Sequence, residues 1–140
     1  MYTARFSECW EHAGAILVDD HSTVQDLSAR IDVGGYTRIA IIILSESGSG
    51  NTIDVDIEQA NALTGGTLKT LTSNGKDVAI ADTDSENVIE IRTEEFDTNG
   101  GFNYLNVEAT PSAARMFGVL VLGMVKGRPA STTNWAAVTD

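Results

Sequence analysis

Carboxylates at every second position are the first feature of this sequence that could support chemistry. In the stretch DVDIE, Asp54, Asp56 and Glu58 alternate with apolar residues, so a strand would place them on one face, about 7 Å apart. At that spacing two neighbouring carboxylates could share a divalent cation. Alternating acids also keep an exposed strand soluble and free of unwanted pairing. We interpret this stretch as the solvated face of a strand.

Two further groups of residues resemble reactive or metal-binding sites only loosely. His12 and His21 accompany Asp19 and Asp20, but their spacing matches no helical or hairpin zinc pattern. The segment EEFDTNGG places acids beside a glycine turn without the spacing of a calcium-binding loop. The sequence contains neither a GxSxG nucleophile elbow nor a phosphate-binding GK[ST] motif. We therefore predict a protein that is not an enzyme and that needs no metal and no cofactor.

The composition indicates which classes of partner the chain is suited to bind. A chain of 140 residues has the length of one domain, and its formal net charge of −11 disfavours nucleic acid, which requires clustered Lys and Arg. The nine cations are scattered along the sequence. No apolar run approaches the roughly 18 residues of a membrane span, and the single cysteine, Cys9, has no intrachain disulfide partner. We expect neither nucleic-acid nor membrane binding.

Short alternating or apolar segments, separated by turns rich in Gly, Asn and Asp, make up most of the sequence. About eight such segments and no convincing amphipathic helix predict an all-β antiparallel sandwich of the jelly-roll or Ig-like kind. The loop SESGSGN is predicted to join the strands on either side of it as a hairpin, and residues 112–115 to form one helical turn. The predicted organisation is an N-terminal arm over 1–14, the sandwich over 15–126 and a C-terminal arm over 127–140.

Two strands differ from the others because they are apolar on both faces. In IAIIIL and VLVLGM the second face is as apolar as the first, whereas the outer face of a free-standing sandwich should be polar. Another copy of the chain, packed around a cyclic axis, would cover it. The alternative is a loop of the same chain, residues 61–76, folded over the sheet. The predicted oligomer-interface residues are Ala40, Ile42, Leu44, Leu120, Leu122 and Met124.

Tryptophan in the two terminal segments suggests a second binding role. Trp10 and Trp135 lie in polar segments, where an exposed indole is costly and commonly anchors in a partner's pocket. The alternative is that each ring folds back onto its own domain. We predict that the two arms bind a partner, through Phe6 and Trp10 in the first and Arg128 and Trp135 in the second.

With these features the chain resembles the small head proteins of tailed bacteriophages and gene-transfer agents, the decoration, cement or head-spike-base subunits. The resemblance lies in the acidic composition and in AILVDDHSTVQDLSARIDVGGYTRIAIIIL, followed by an alternating strand with EQA, by VIEIRTEEFDTNGGFNYLNVEATP and by a last strand with a tail. It extends over most of the chain, although no catalytic motif marks it. Such proteins are β-sandwiches that sit as trimers at capsid three-fold positions or as rings at vertices.

The resemblance implies a non-enzymatic virion protein that binds the outer surface of a phage head and stabilises the shell. Its expected partners are itself, as a homotrimer, and the phage major capsid protein, so the resemblance implies that the arm residues named above bind the capsid. Its expected location is the capsid surface, after synthesis in the bacterial cytoplasm. The alternative is a head-spike or fibre-type module that recognises a glycan or protein on the host surface.

Overall fold

The computed structural model describes residues 6–71 and 78–127, which form two packed antiparallel sheets. One helical turn, α1 (Phe6–Cys9), precedes ten strands. The strands are β1 (Trp10–His21), β2 (Gln25–Asp26), β3 (Ile31–Asp32), β4 (Tyr36–Ser45), β5 (Ile53–Ala60), β6 (Leu68–Thr70), β7 (Val78–Ile80), β8 (Glu86–Arg92), β9 (Tyr104–Pro111) and β10 (Arg115–Val125). The predicted antiparallel β-sandwich is confirmed.

Strand pairing identifies the sandwich as a jelly roll. The pairs are nested: β1 pairs with β10, β2 and β3 pair with β9, β4 pairs with β8, and β5 pairs with β6 and β7. Successive pairs in this nesting lie in alternate sheets. Sheet A therefore has the order β1-β10-β4-β8, and sheet B has β9 and β5 at its centre. Two antiparallel sheets built from eight strand positions in this nested order are the jelly-roll architecture.

The core lies between the two sheets and is almost entirely aliphatic. On β4, every second residue, Ile39, Ile41 and Ile43, is fully buried. The alternating strand β5 faces them from sheet B with Ile53, Val55 and Ile57, as its period of two predicts. Burial of each such side chain contributes roughly 1.5–3 kcal/mol to folding.

The loop SESGSGN does not close a hairpin. It carries the chain from β4 in sheet A to β5 in sheet B, so the two strands that it joins lie in different layers. The prediction of a hairpin at this loop is therefore wrong. The physical reason is that β4 needs a partner on each side within sheet A, and β10 and β8 fill those positions.

The first strand begins earlier than the sequence pattern predicts. β1 starts at Trp10, so residues 10–14 belong to the sandwich and not to an N-terminal arm, and the predicted boundary at residue 15 is corrected. Two register shifts in β1, one between His12 and Gly14 and one between Ile16 and Asp19, interrupt its alternation with bulges. Because of these bulges the strand shows no clean period of two. Of the predicted C-terminal arm, only Gly127 lies within the described residues.

Arg115 occupies a position that the sequence does not mark. It is the first residue of β10 and not part of a helical turn, and its side chain is fully buried. The guanidinium donates to main-chain carbonyls of two loops, including Glu46 and Asn51 at 2.8 Å and Asp84 at 2.9 Å. It also reaches the carbonyl of Ala81 at 3.2 Å. Arg115 thereby ties the crossover loop after β4 to the loop before β8.

Candidate oligomer interface on the outer face of sheet A

The outward side chains of sheet A form four rows that cross all four strands. Alternation places them opposite the core residues of the same strands. Each row is read from β1 through β10 and β4 to β8. The rows are Trp10, Met124, Arg38 and Arg92; His12, Leu122, Ala40 and Glu90; Ala15, Leu120, Ile42 and Val88; and Val18, Gly118, Leu44 and Glu86. The two middle columns are apolar except for Arg38.

The six residues predicted as an oligomer interface lie side by side on this face, but they are not equally accessible. Leu44 is 53% exposed, and Ile42, Leu120 and Met124 are partly buried. Leu122 is only 4% exposed and Ala40 only 9%. These last two are already covered within the subunit and offer little surface to a partner.

Two accessible residues extend the apolar surface beyond the predicted set. Val88 on β8 is 63% exposed and Val18 in the bulge of β1 is 67% exposed. The period of two in the sequence did not assign either residue to this face. Val88 lies among charged residues of β8, and Val18 lies within the register shift between Ile16 and Asp19. We call the surface formed by Val18, Leu44, Val88, Ile42 and Leu120 the apolar face.

A glycine allows Val18 to reach the apolar face. A Cβ on Gly118 would lie 2.5 Å from Cγ2 of Val18, closer than real Cβ atoms approach, and 3.1 Å from its Cα, which is a tight contact. Only glycine at this position lets the bulged segment of β1 lie directly over β10. The bulge therefore widens the apolar face at its β1 side.

The alternative cover for this face, the loop over residues 61–76, is placed elsewhere in its described part. β6 pairs with β5 at the edge of sheet B, and Arg30 donates to the carbonyls of Ala62 and Gly65. Leu71 is buried in the core. Residues 61–71 thus belong to sheet B, and residues 72–76 lie outside the described part of the chain.

Of the predicted capsid-binding residues, Phe6 and Trp10 are described. Their rings stack with centroids 6.3 Å apart, and Trp10 is half-buried beside Met124 at the start of β1. Phe6 is 57% exposed. The indole is therefore partly covered, and Phe6 is the more accessible member of the pair. Arg128 and Trp135 lie outside the described residues.

The carboxylates of DVDIE lie on the outer face of sheet B within a larger acidic group. In register, Asp56 is opposite Glu108 on β9, which is in turn opposite Asp26 on β2. The amide of Asn106 donates to Asp26 at 3.1 Å and to Glu58 at 2.9 Å. The sequence did not reveal this group, because its members come from three strands that are distant in the chain.

Glu108 provides a test of this crowding. Its partial burial and the nearby charges of Asp26, Glu58 and Asp56 raise its pKa above the ordinary value. The folded state therefore holds this proton more tightly than the unfolded chain does, and it loses stability as the pH rises from the ordinary to the raised pKa. We expect Glu108→Gln to raise the melting temperature at pH about 7 and to change it little at pH about 3.5.

The matched control for Glu108→Gln is Glu94→Gln, which removes one charge from an exposed side chain in the turn after β8. Glu94 pairs with Arg92 at 3.6 Å in an exposed contact that contributes little to stability. This variant should melt close to the wild type at both pH values. An equal shift of Glu108→Gln at both pH values would contradict the electrostatic explanation.

The acidic turn EEFDTNGG holds its carboxylates in local contacts. Asp97 accepts from Nζ of Lys69 at 2.6 Å and from the main-chain nitrogen of Gly100 at 2.9 Å, and these contacts lower its pKa.

His21, one of the two histidines considered as zinc ligands, packs on Phe117 with ring centroids 4.6 Å apart. Within residues 6–71 and 78–127, no group of three or more His, Cys, Asp or Glu side chains is arranged to hold a metal ion. In the same residues, no helix has the length and apolar character to span a membrane.

Comparisons with known proteins give similarity at the level of structure only. No protein-family model and no curated protein sequence matches the chain. Among solved structures, a chain of the cowpea mosaic virus top component, the naturally occurring empty particles, is similar with 9% identity and a TM-score of 0.43, covering 91% of this chain and 92% of that one. The tobacco streak virus coat protein is 6% identical with a TM-score of 0.37 and full coverage of both chains. The jelly-roll assignment rests on the strand pairing described above.

Proposed function

We propose that this protein is a non-enzymatic structural subunit of a virion, a homo-oligomeric decoration or cement protein on the outer surface of a phage head. The features that support this proposal are the jelly-roll sandwich and the apolar face of sheet A. The resemblance of the sequence to small phage head proteins adds the expectation of a trimer. In this role the subunit binds the major capsid protein and strengthens the shell.

The observation that carries the proposal is the apolar face. Leu44, Val88 and Val18 are each more than half exposed and lie beside Ile42 and Leu120 on one sheet. Soluble monomers rarely leave a contiguous apolar surface of this kind in water, and such surfaces mark interaction sites. Another copy of the chain covers it most economically, because packing around a cyclic axis buries part of this face on every subunit.

Attachment to the shell is the second part of the proposal. We assign it to Phe6, which is exposed on α1, and to Arg128 and Trp135 of the C-terminal segment. A tryptophan anchor typically contributes about 2–4 kcal/mol, and a symmetric oligomer repeats the contact at each subunit. Trp10, which is partly buried and stacks on Phe6, completes this set.

The test is to add purified protein to heads that lack it and to measure bound copies after sedimentation. We expect wild-type protein to bind in hundreds of copies and Trp135→Ala to bind at least tenfold more weakly, with an unchanged oligomer mass. Leu63→Ala is the control, since it removes a half-exposed apolar side chain from a loop of sheet B.

Three outcomes would contradict this proposal. A few dozen copies or fewer per head would point to a spike that recognises the host, and equal binding of Trp135→Ala and wild type would move the attachment site away from the C-terminal segment. A wild-type protein that is monomeric at micromolar concentration would remove the basis for self-association.

A further inference from the structure

An open cleft of about 740 Å³ lies at the end of the sandwich where β4 begins and β8 ends. Hydrogen bonds to main-chain carbonyls join its walls. The hydroxyl of Thr93 donates to the carbonyl of Tyr36 at 3.0 Å, and the nitrogen of Lys126 donates to the carbonyl of Gly35 at 3.0 Å. The cleft is therefore preformed by three separate segments, and its volume is in the range of sites for small organic ligands.

The cations of the described residues divide into two groups. Arg30, Lys69 and Arg115 are engaged elsewhere, by loop carbonyls, by Asp97 and by the buried carbonyl cluster, respectively. The remaining cations of residues 6–71 and 78–127 all line this cleft. They are Arg38, Arg92 and Lys126. In a chain with a net charge of −11, this convergence is a local reversal of the overall charge.

Two of these cations face each other directly. Arg38 on β4 is the cross-strand partner of Arg92 on β8. Like charges in directly opposite positions destabilise a sheet, and the exposed contact of Arg92 with Glu94 at 3.6 Å offsets little of this repulsion. An anion bound between the two guanidinium groups would relieve the repulsion and receive charge-assisted hydrogen bonds.

The rest of the lining indicates what the anion is attached to. Val33 is the only aliphatic side chain among the thirteen lining residues, so the cleft lacks a pocket for the apolar anchors of a peptide. The wall instead presents hydroxyl and amide groups and a partly exposed tyrosine, including Thr98, Asn103 and Tyr104. It also carries the carboxylates of Asp32, which accepts from the nitrogen of Gly34, and of Glu94, which pairs with Arg92, so the lining holds three positive and two negative side chains. Such groups suit a ligand with many hydroxyls and one flat face.

We propose that this cleft binds an acidic saccharide, with a uronate carboxylate between Arg38 and Arg92 and the sugar ring against Tyr104. Lys126 adds a third positive charge at the rim. This site is separate from the apolar face and does not depend on the proposed attachment to a phage head. Its occupant is bound, not chemically altered.

Calorimetric titration of the full chain with trigalacturonate, at low salt, tests the site. We expect measurable binding of trigalacturonate and at least tenfold weaker binding of its neutral methyl ester. Arg38→Gln and Arg92→Gln should each lower the affinity for trigalacturonate at least tenfold. Arg30→Gln, which removes the same charge on another part of the surface, should leave the affinity unchanged.

A second readout separates a binding role from a structural one. Without ligand, Arg38→Gln should melt at the same or a higher temperature than wild type, because it removes the repulsion between opposed arginines. A clear fall in its melting temperature would identify Arg38 as structural and overturn the assignment. Equal affinity for the methyl ester, or affinity for hexaglutamate or inorganic phosphate as high as for trigalacturonate, would overturn the saccharide class. Absence of binding at about 1 mM trigalacturonate would overturn the site.

Discussion

Arg115→Met is expected to destabilise the folded protein by about 3–5 kcal/mol, because several main-chain acceptors lose their donor at once. The side chain is fully buried, and its loss would strand the carbonyls of Glu46, Asn51 and Asp84 without their donor. Each unsatisfied buried acceptor costs about 1–3 kcal/mol. Methionine preserves the apolar stem, so the lost hydrogen bonds dominate the change. Urea unfolding at neutral pH measures it.

Arg115→Lys separates the charge from the geometry of the guanidinium group. Lysine keeps the positive charge, but its three donors radiate from one atom and cannot span two loops at once. We expect a loss of stability smaller than that of Arg115→Met but still clear. If Arg115→Met loses less than about 1 kcal/mol, the carbonyl cluster is satisfied by water and the anchoring role is wrong.

Leu44→Asp is expected to dissociate the oligomer while leaving the subunit folded. Leu44 is 53% exposed in the isolated subunit, so its aspartate would be hydrated there. In an oligomer that packs on the apolar face, the same carboxylate would be buried without a partner. We expect at least a hundredfold weaker association, or about 2.7 kcal/mol. Light scattering coupled to chromatography gives the mass, and circular dichroism reports the fold.

Two variants define the limits of this expectation. Val24→Asp, in the loop between β1 and β2, adds the same charge at a similarly exposed apolar residue and should leave the oligomer intact. Leu122→Asp should unfold the subunit itself, because Leu122 is 4% exposed within it. Retention of the wild-type mass by Leu44→Asp would exclude the apolar face as the interface.

Residue alternation predicted the layers of this protein better than their connections. The period of two in β5 and the two-sided apolarity of β4 and β10 identified strands and faces correctly, because these patterns report burial at each position. The predicted hairpin at SESGSGN was wrong, since a short glycine-rich loop fits a sheet-to-sheet crossover as well as a hairpin. Local sequence does not specify which of the two is formed.

The sites that sequence reasoning missed combine residues from distant segments. Arg115 has no signature, because one cation before an apolar strand usually lies on the surface. Arg38 and Arg92 are 54 positions apart in the numbering, and only the pairing of β4 with β8 brings them together. Trp10 was assigned to an arm because the bulges of β1 interrupt the period of two in the sequence. The strand nevertheless pairs with β10 on both sides of each bulge.

The nested strand order has a consequence for the timing of assembly. β10, the last strand, lies in the middle of sheet A, between β1 and β4, and supplies Leu120 and Gly118 to the apolar face. A chain still emerging from the ribosome has β1 and β4 but not the strand that joins them. Nascent and prematurely terminated chains therefore cannot present the complete face. In the proposed oligomer, only subunits that carry β10 would associate through this face, which would exclude incomplete chains from assembly.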